Sequence, residues 1–144
     1  GYKLSEASKR AQRAGVHILQ TGLIAHTADV LERGAWADKM LLDVPCSGTG
    51  VIRRDVDTKW KLQPEHLERT LQLQANILHR YPDALKPGGR LVYATCSILP
   101  EENEAQIDAF VKAQPQFTLE EQVRISPEHA HSDGYFVAVL QKMS

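Results

Sequence analysis

With 144 residues, 42% of them hydrophobic and 24% charged, the chain has the size and composition of one globular domain able to bury roughly two thirds of its surface. A net charge of −1 creates no global field for nucleic acid, so such binding would rest on a local basic patch or another domain. No apolar run nears the roughly 18 residues of a bilayer span, no signal-peptide core opens the chain, and its 2 cysteines build no disulfide framework; these exclusions predict no membrane partner and a reducing, cytoplasmic setting.

"SEASKRAQRA", residues 5–14, predicts a helix with Gly15 just past its end. "VHILQT" (16–21) predicts a short strand, and "TADVLERG" (27–34) a helical turn. "KMLLDV" (39–44) is a continuous apolar run followed by Pro and Gly, the pattern of a strand buried on both faces. A polar loop, 46–61, follows. Apolar residues at Leu67, Leu71, Ala75, Leu78 and Tyr81 then recur at helical spacing, with Pro64 at the first turn, so residues 63–81 predict a helix. "KPGG" (86–89) interrupts the chain and "RLVYATCS" (90–97) predicts a second buried strand. Pro100 opens a helix through "EENEAQIDAFVKAQ", whose early acidic residues suit the helix dipole. "QFTLEEQV" and "GYFVAVLQ" predict two closing strands, and the loop 126–134, "SPEHAHSDG", is the least structured stretch. Strands alternating with helices imply an α/β class with a mostly parallel sheet.

Both cysteines fall at strand ends. Cys46 lies three residues past Asp43, and Cys96 ends "LVYAT". In open parallel sheets ligands bind beyond the carboxyl ends of the strands. If the two strands are neighbours, about 4.8 Å apart, the thiols face one small site. The alternative is that each is a small buried hydrophobe, the usual fate of a free cysteine. Spacing eliminates several other chemistries. A phosphate-binding Cys loop needs Arg six positions on, and position 52 is Ile; a deaminase Pro-Cys-x-x-Cys needs Cys at position 49, which is Thr. No Cys-x-x-Cys exists for thiol redox work, and the Gly-rich turn lacks a P-loop lysine. His129 and His131 have no converging ligands beside them in sequence, so no metal is predicted.

"LLDVPCSGTGVIRRDVDTKW" together with "KPGGRLVYATCSILPEENEAQI" resembles the Sun/Fmu-type (RsmB-like) RNA cytosine carbon-5 methyltransferases, closely over residues 36–112 and on to the end through "DGYFVAVL". The resemblance implies a Rossmann-like class I methyltransferase sheet, S-adenosylmethionine as cofactor and RNA, ribosomal RNA foremost, as substrate. It implies Cys96 as the nucleophile that adds to carbon 6 of cytosine, and Cys46 as the second cysteine that helps break the adduct. Asp43 is implied to contact the cofactor region and the target base, and a carboxylate suits a cytosine amino group. The other reading of Asp43 is that it caps the following turn. Arg53, Arg54, Lys59 and Trp60 make the best RNA-contact loop, cations for phosphates and an aromatic for stacking. The alternative is a solvated loop with Trp60 tucked into the core. A non-catalytic RNA-binding or assembly module keeping this fold, and a transfer-RNA methyltransferase, are the competing functions.

The chain departs from the family at its front. No Gly-rich cofactor loop precedes residue 43, so residues 1–144 are expected to be the C-terminal portion of a methyltransferase domain, incomplete on the N-terminal side of its sheet. The missing N-terminal part would normally cover "KMLLDV". Its absence is expected to leave an apolar edge that pairs with "VHILQT" or drives self-association.

Overall fold

The computed structural model describes residues 2–17, 22, 24, 28–32, 34–130 and 132–144. Four strands form one mixed sheet: β1 (Ala37–Asp43), β2 (Leu85–Thr95), β3 (Phe117–Ile125) and β4 (Tyr135–Lys142), in the spatial order β1-β2-β4-β3. β1 and β2 run parallel, in register from Lys39 opposite Arg90 to Asp43 opposite Ala94. β4 is antiparallel to both β2 and β3. The α/β class is as the sequence predicts, and among the described strands the one parallel pair is the pair that leads into the cysteines.

The helices are α1 (Tyr2–Arg13), α2 (Ala28–Leu31), α3 (Thr58–Lys61), α4 (Pro64–Arg80), α5 (Glu104–Ala113) and α6 (Pro127–Ala130). Short 3-10 turns occupy Thr49–Val51, Tyr81–Ala84 and Pro100–Glu102. α1 ends before Gly15, whose φ of 67° is the left-handed stop expected of glycine. α4 starts as predicted: Gln63 is extended and Pro64 takes the first position, where its missing N–H is not needed. It connects the parallel strands β1 and β2 and packs against α5.

The core lies where these helices meet the sheet. Leu91 and Tyr93 of β2, Phe136, Ala138 and Leu140 of β4, Leu78 of α4 and Ile107 and Phe110 of α5 are buried together. Alternation along β2 places Leu91, Tyr93 and Thr95 on that face. Each large apolar side chain so buried contributes about 1.5–3 kcal/mol.

Several expectations are corrected. "KMLLDV" is not buried on both faces: Leu41 is 65% exposed, and only Ala37 of β1 is buried. β1 is an edge strand, with no partner on its outer side among the described residues. An apolar cleft of about 380 Å³ runs along that side, lined by Ile24, Val30, Trp36, Leu41, Ile77 and Tyr81 among others. The strand predicted at "VHILQT" is absent at Val16 and His17, and its remaining residues lie outside those described. "KPGG" falls inside the span of β2, yet it does interrupt pairing: the register jumps between Ala37–Leu85 and Lys39–Arg90. The polar loop 46–61 and the loop 126–134 each contain a helical turn, and "TADVLERG" holds α2. The helix expected from Pro100 is split at Asn103, whose ψ of −103° is not helical, because its side chain is committed to Thr95 and Ser97. No described helix is long and apolar enough to cross a membrane.

Candidate active site

Parallel neighbouring strands end side by side, so the loops that leave β1 and β2 rise together. Val44 N–H still donates to Ala94 O at 3.2 Å, and the pairing then opens. Cys46 and Cys96 stand just beyond this point, half-buried, unbridged, with their Sγ atoms 3.2 Å apart. The expectation that both thiols share one site is met.

Close backbone contact holds the loops. Gly48 adopts the left-handed region at φ 72° and turns the chain into the Thr49–Val51 helical turn. Gly50 N–H donates to Cys96 O at 2.9 Å, and Gly134 N–H donates to Gly50 O at 2.8 Å. A Cβ at Gly50 would sit 2.1 Å from Gly134 O, so the "SGTG" loop, the "TCS" loop and the "DGYF" loop touch where only hydrogen fits. Thr49 adds a hydroxyl that accepts from Ile98 N–H at 3.1 Å and lies 3.0 Å from the Ser97 hydroxyl.

A buried polar group lies beneath the cysteines, and motif reading did not single it out. Glu102 is 0% exposed, and its carboxylate accepts from the Ser47 N–H at 2.8 Å, the Gln74 amide at 3.1 Å and the Ser47 hydroxyl. Gln74 also donates to Pro45 O at 2.8 Å. A carboxylate out of water costs several kcal/mol of desolvation unless such donors compensate it. The Gln74 carbonyl oxygen has no partner among the described residues, and burying an oxygen so costs about 1–3 kcal/mol. Helical spacing hid Gln74: the stripe of α4 that faces inward is Thr70, Gln74 and Leu78, whereas Ala75 is exposed. A polar residue four before buried Leu78 was the available signal. Glu102 is likewise not a solvated dipole partner but a buried acceptor.

The two thiols set each other's protonation. Cys46 is drawn down to about 7, chiefly by the hydrogen bond from Cys96, helped by the Gly48 backbone amide and opposed by burial. Cys96 is pushed far up, first by that same hydrogen bond, then by burial and the Cys46 charge, with the Asp43 carboxylate adding to it. Near neutrality the pair therefore shares one proton, one sulfur anionic and the other its donor. The shared hydrogen bond favours the anion at Cys46, and a shift of the proton across 3.2 Å moves it to Cys96. Iodoacetamide should accordingly modify the protein with a midpoint near pH 7, since only the thiolate reacts and its fraction rises with pH. With Cys96→Ala the midpoint should climb toward the usual thiol value of about 8.5. An ordinary midpoint in the unaltered protein would exclude the shared proton.

Asp43 ends β1, exposed at the rim of the apolar cleft, and its charge is felt at Cys96. The structure thus brings together Cys46, Cys96 and Asp43. The other predicted residues lie along the next segment. Arg53 and Arg54 are exposed, and Arg54 Nε stands 2.8 Å from Oδ2 of Asp133, which is 4% exposed. Trp60 is 74% exposed, with Lys59 Nζ 4.8 Å from its ring centre, so it is not tucked into the core. The segment is joined to the cysteine loop through Thr58, whose side chain lies against Gly48. Among the described residues no three His, Cys, Asp or Glu side chains converge as a metal site would require.

Comparison with known proteins gives the arrangement a context. The family described as 16S rRNA methyltransferase RsmB/F matches residues 2–141. Ribosomal RNA small subunit methyltransferase B of Proteus mirabilis is 49% identical over 105 residues, covering 73% of this chain and 25% of that one. The chain spans about a quarter of the length of the curated relatives it matches. Among solved structures, NSun6 from Pyrococcus horikoshii with SFG shares 28% identity at a TM-score of 0.80, covering 98% of this chain and 39% of that one. A methyltransferase homolog protein from the same organism shares 27% at 0.77, covering 99% and 50%.

Proposed function

Because the chain belongs to the 16S rRNA methyltransferase RsmB/F family, we propose that it carries the covalent-catalysis part of an S-adenosylmethionine-dependent enzyme that methylates carbon 5 of a cytosine in 16S ribosomal RNA. The observation that carries this reading is the pair of unbridged sulfurs 3.2 Å apart at the ends of two parallel strands. A binding module has no use for two thiols at one strand-end site.

Carbon 5 of cytosine is too electron-poor to attack an electrophile unaided. Proton transfer to Cys46 frees the Cys96 thiolate, which bonds to carbon 6 and pushes the ring electrons toward carbon 5. S-adenosylmethionine, when bound, supplies a methyl group on a sulfonium, and carbon 5 takes that methyl. Cys46 then gives its proton to solvent, and its thiolate removes the proton from carbon 5. Those electrons restore the ring double bond and break the bond from sulfur to carbon 6, returning Cys96. One proton is released per methyl transferred. The target base must be splayed from its helix to reach the thiols.

The cofactor fits what this chain offers at Asp43: an exposed carboxylate beside the thiols suits a sulfonium cation. Asp43 is also placed to accept from the cytosine amino group. Arg53, Arg54 and Lys59 supply cations for phosphates, and exposed Trp60 a stacking face. Residues 1–144 form the C-terminal portion of a methyltransferase domain. The outer edge of β1, unpaired among the described residues, and its apolar cleft support that reading, the N-terminal portion or a second molecule covering them. Calorimetry on this chain alone should show no micromolar affinity for S-adenosylmethionine; such affinity would mean that the cofactor site is already whole.

The reaction is tested by nucleoside analysis of ribosomal RNA methylated by the whole domain. Methyl label in 5-methylcytidine is the expected product, with Trp60→Ala raising KM severalfold. Label on a ribose hydroxyl or an exocyclic nitrogen would overturn the reading.

A further inference from the structure

The peptide groups on both sides of Cys46 are held by buried side chains from outside its loop. The carbonyl before it, Pro45 O, accepts from Gln74 Nε2 at 2.8 Å. The N–H after it, Ser47 N, donates to Glu102 Oε1 at 2.8 Å. Gln74 and Glu102 are joined to each other at 3.1 Å, and both are 0% exposed. Glu102 is itself anchored from the core, its carbonyl accepting from the Tyr93 hydroxyl at 2.8 Å. Gln74 turns its amide nitrogen to Pro45 and Glu102 although its own oxygen then has no partner among the described residues. Packing alone would place apolar residues at both positions, since a buried carboxylate and an unsatisfied amide oppose folding.

We infer that Gln74 and Glu102 are positioning residues that act on Cys46 and, through it, on release of the methylated base, not on its capture. The inference rests on the two-cysteine reading above. Cys96 has holds of its own, Gly50 N–H on its carbonyl and the Thr95 and Asn103 side chains on the Ser97 backbone, and its turn meets the Glu102 group only through the Ser47 hydroxyl, 3.3 Å from that of Ser97. Loosening the Gln74–Glu102 pair therefore frees Cys46 while leaving Cys96 able to add to the ring. A displacement near 1 Å suffices to slow a proton transfer by about a hundredfold. The carboxylate serves by its shape and acceptors, so Glu102→Gln, which keeps an acceptor for Ser47 N–H, should preserve release, and Glu102→Ala should not.

The test uses the whole methyltransferase domain with its RNA and cofactor, run beside Cys46→Ala and Cys96→Ala. Gln74→Ala and Glu102→Ala should accumulate the covalent protein–RNA adduct on a denaturing gel, with kcat lowered tenfold or more, KM unchanged and native circular dichroism retained. Glu102→Gln should restore turnover. If Glu102→Ala does not fold, Gln74→Ala decides. Adduct formation and release falling in parallel in the folded variants would overturn the inference and leave only a structural role. So would wild-type turnover in them. If Cys46→Ala traps no adduct, the two-cysteine reading itself fails, whatever the Gln74 and Glu102 variants do.

Discussion

Cys46→Ala is expected to leave a covalent protein–RNA complex that survives a denaturing gel, and Cys96→Ala to leave none. In the proposed mechanism the two sulfurs, 3.2 Å apart, have different roles. Loss of Cys96 removes the atom proposed to bond to carbon 6, so no adduct is expected and methylation should stop. Loss of Cys46 leaves that bond free to form and removes the base that would take the carbon-5 proton, a contribution of about 10²–10⁴ in rate. The adduct then outlives the assay. The shared hydrogen bond favours the anion at Cys46, so alkylation is expected first at the sulfur proposed not to attack RNA. A trapped complex with Cys96→Ala instead would exchange the two roles, and identical behaviour of both variants would remove them.

Gly50→Ala is the second large effect, and it acts on folding. A methyl there meets Gly134 O at 2.1 Å and Cys96 O at 2.9 Å, both backbone atoms that cannot swing aside. Forcing the loops apart strains the packing by about 1–3 kcal/mol and breaks one or both of the hydrogen bonds through Gly50. Each buried group so orphaned costs about 1–3 kcal/mol more. A loss of about 3 kcal/mol lowers the melting temperature by roughly 10 °C in a domain of this size. Gly48→Ala meets nothing nearer than 3.6 Å, so it carries only the left-handed backbone penalty of about 1–2 kcal/mol. Thermal melts that rank the two the other way would show that the triple loop contact yields to a methyl group.

The helices of this fold were legible because their punctuation is local. Pro64 starts α4 within a residue of the predicted position, and Gly15 stops α1. The cysteine site was legible because Asp-x-Pro-Cys and Thr-Cys-Ser both end strands, and parallel neighbours must end together. The burial of β1 was not legible from its composition: "KMLLDV" reads the same at the centre of a sheet as at its edge, and only the neighbour decides. Glu102 stayed hidden for a related reason. It sits among Glu101 and Glu104, which are on the surface or partly so, and nothing in the run marks which carboxylate turns inward. Gln74 was masked by the apolar residues around it. Whether Trp60 faces inward or outward depends on the turn at Thr58–Lys61, which the sequence does not announce.

The pairing of β1 with β2 carries a consequence for how this segment can vary. Side chains alternate between the faces of a strand, and Asp43 opposite Ala94 is the last pair before the two loops separate. Deleting a single residue between Lys39 and Asp43 would shift the alternation by half a period and swing Cys46 away from Cys96. Every residue proposed to act would still be encoded, yet Cys46 would no longer face Cys96. Strand length here is as much a part of the chemistry as the sulfurs are.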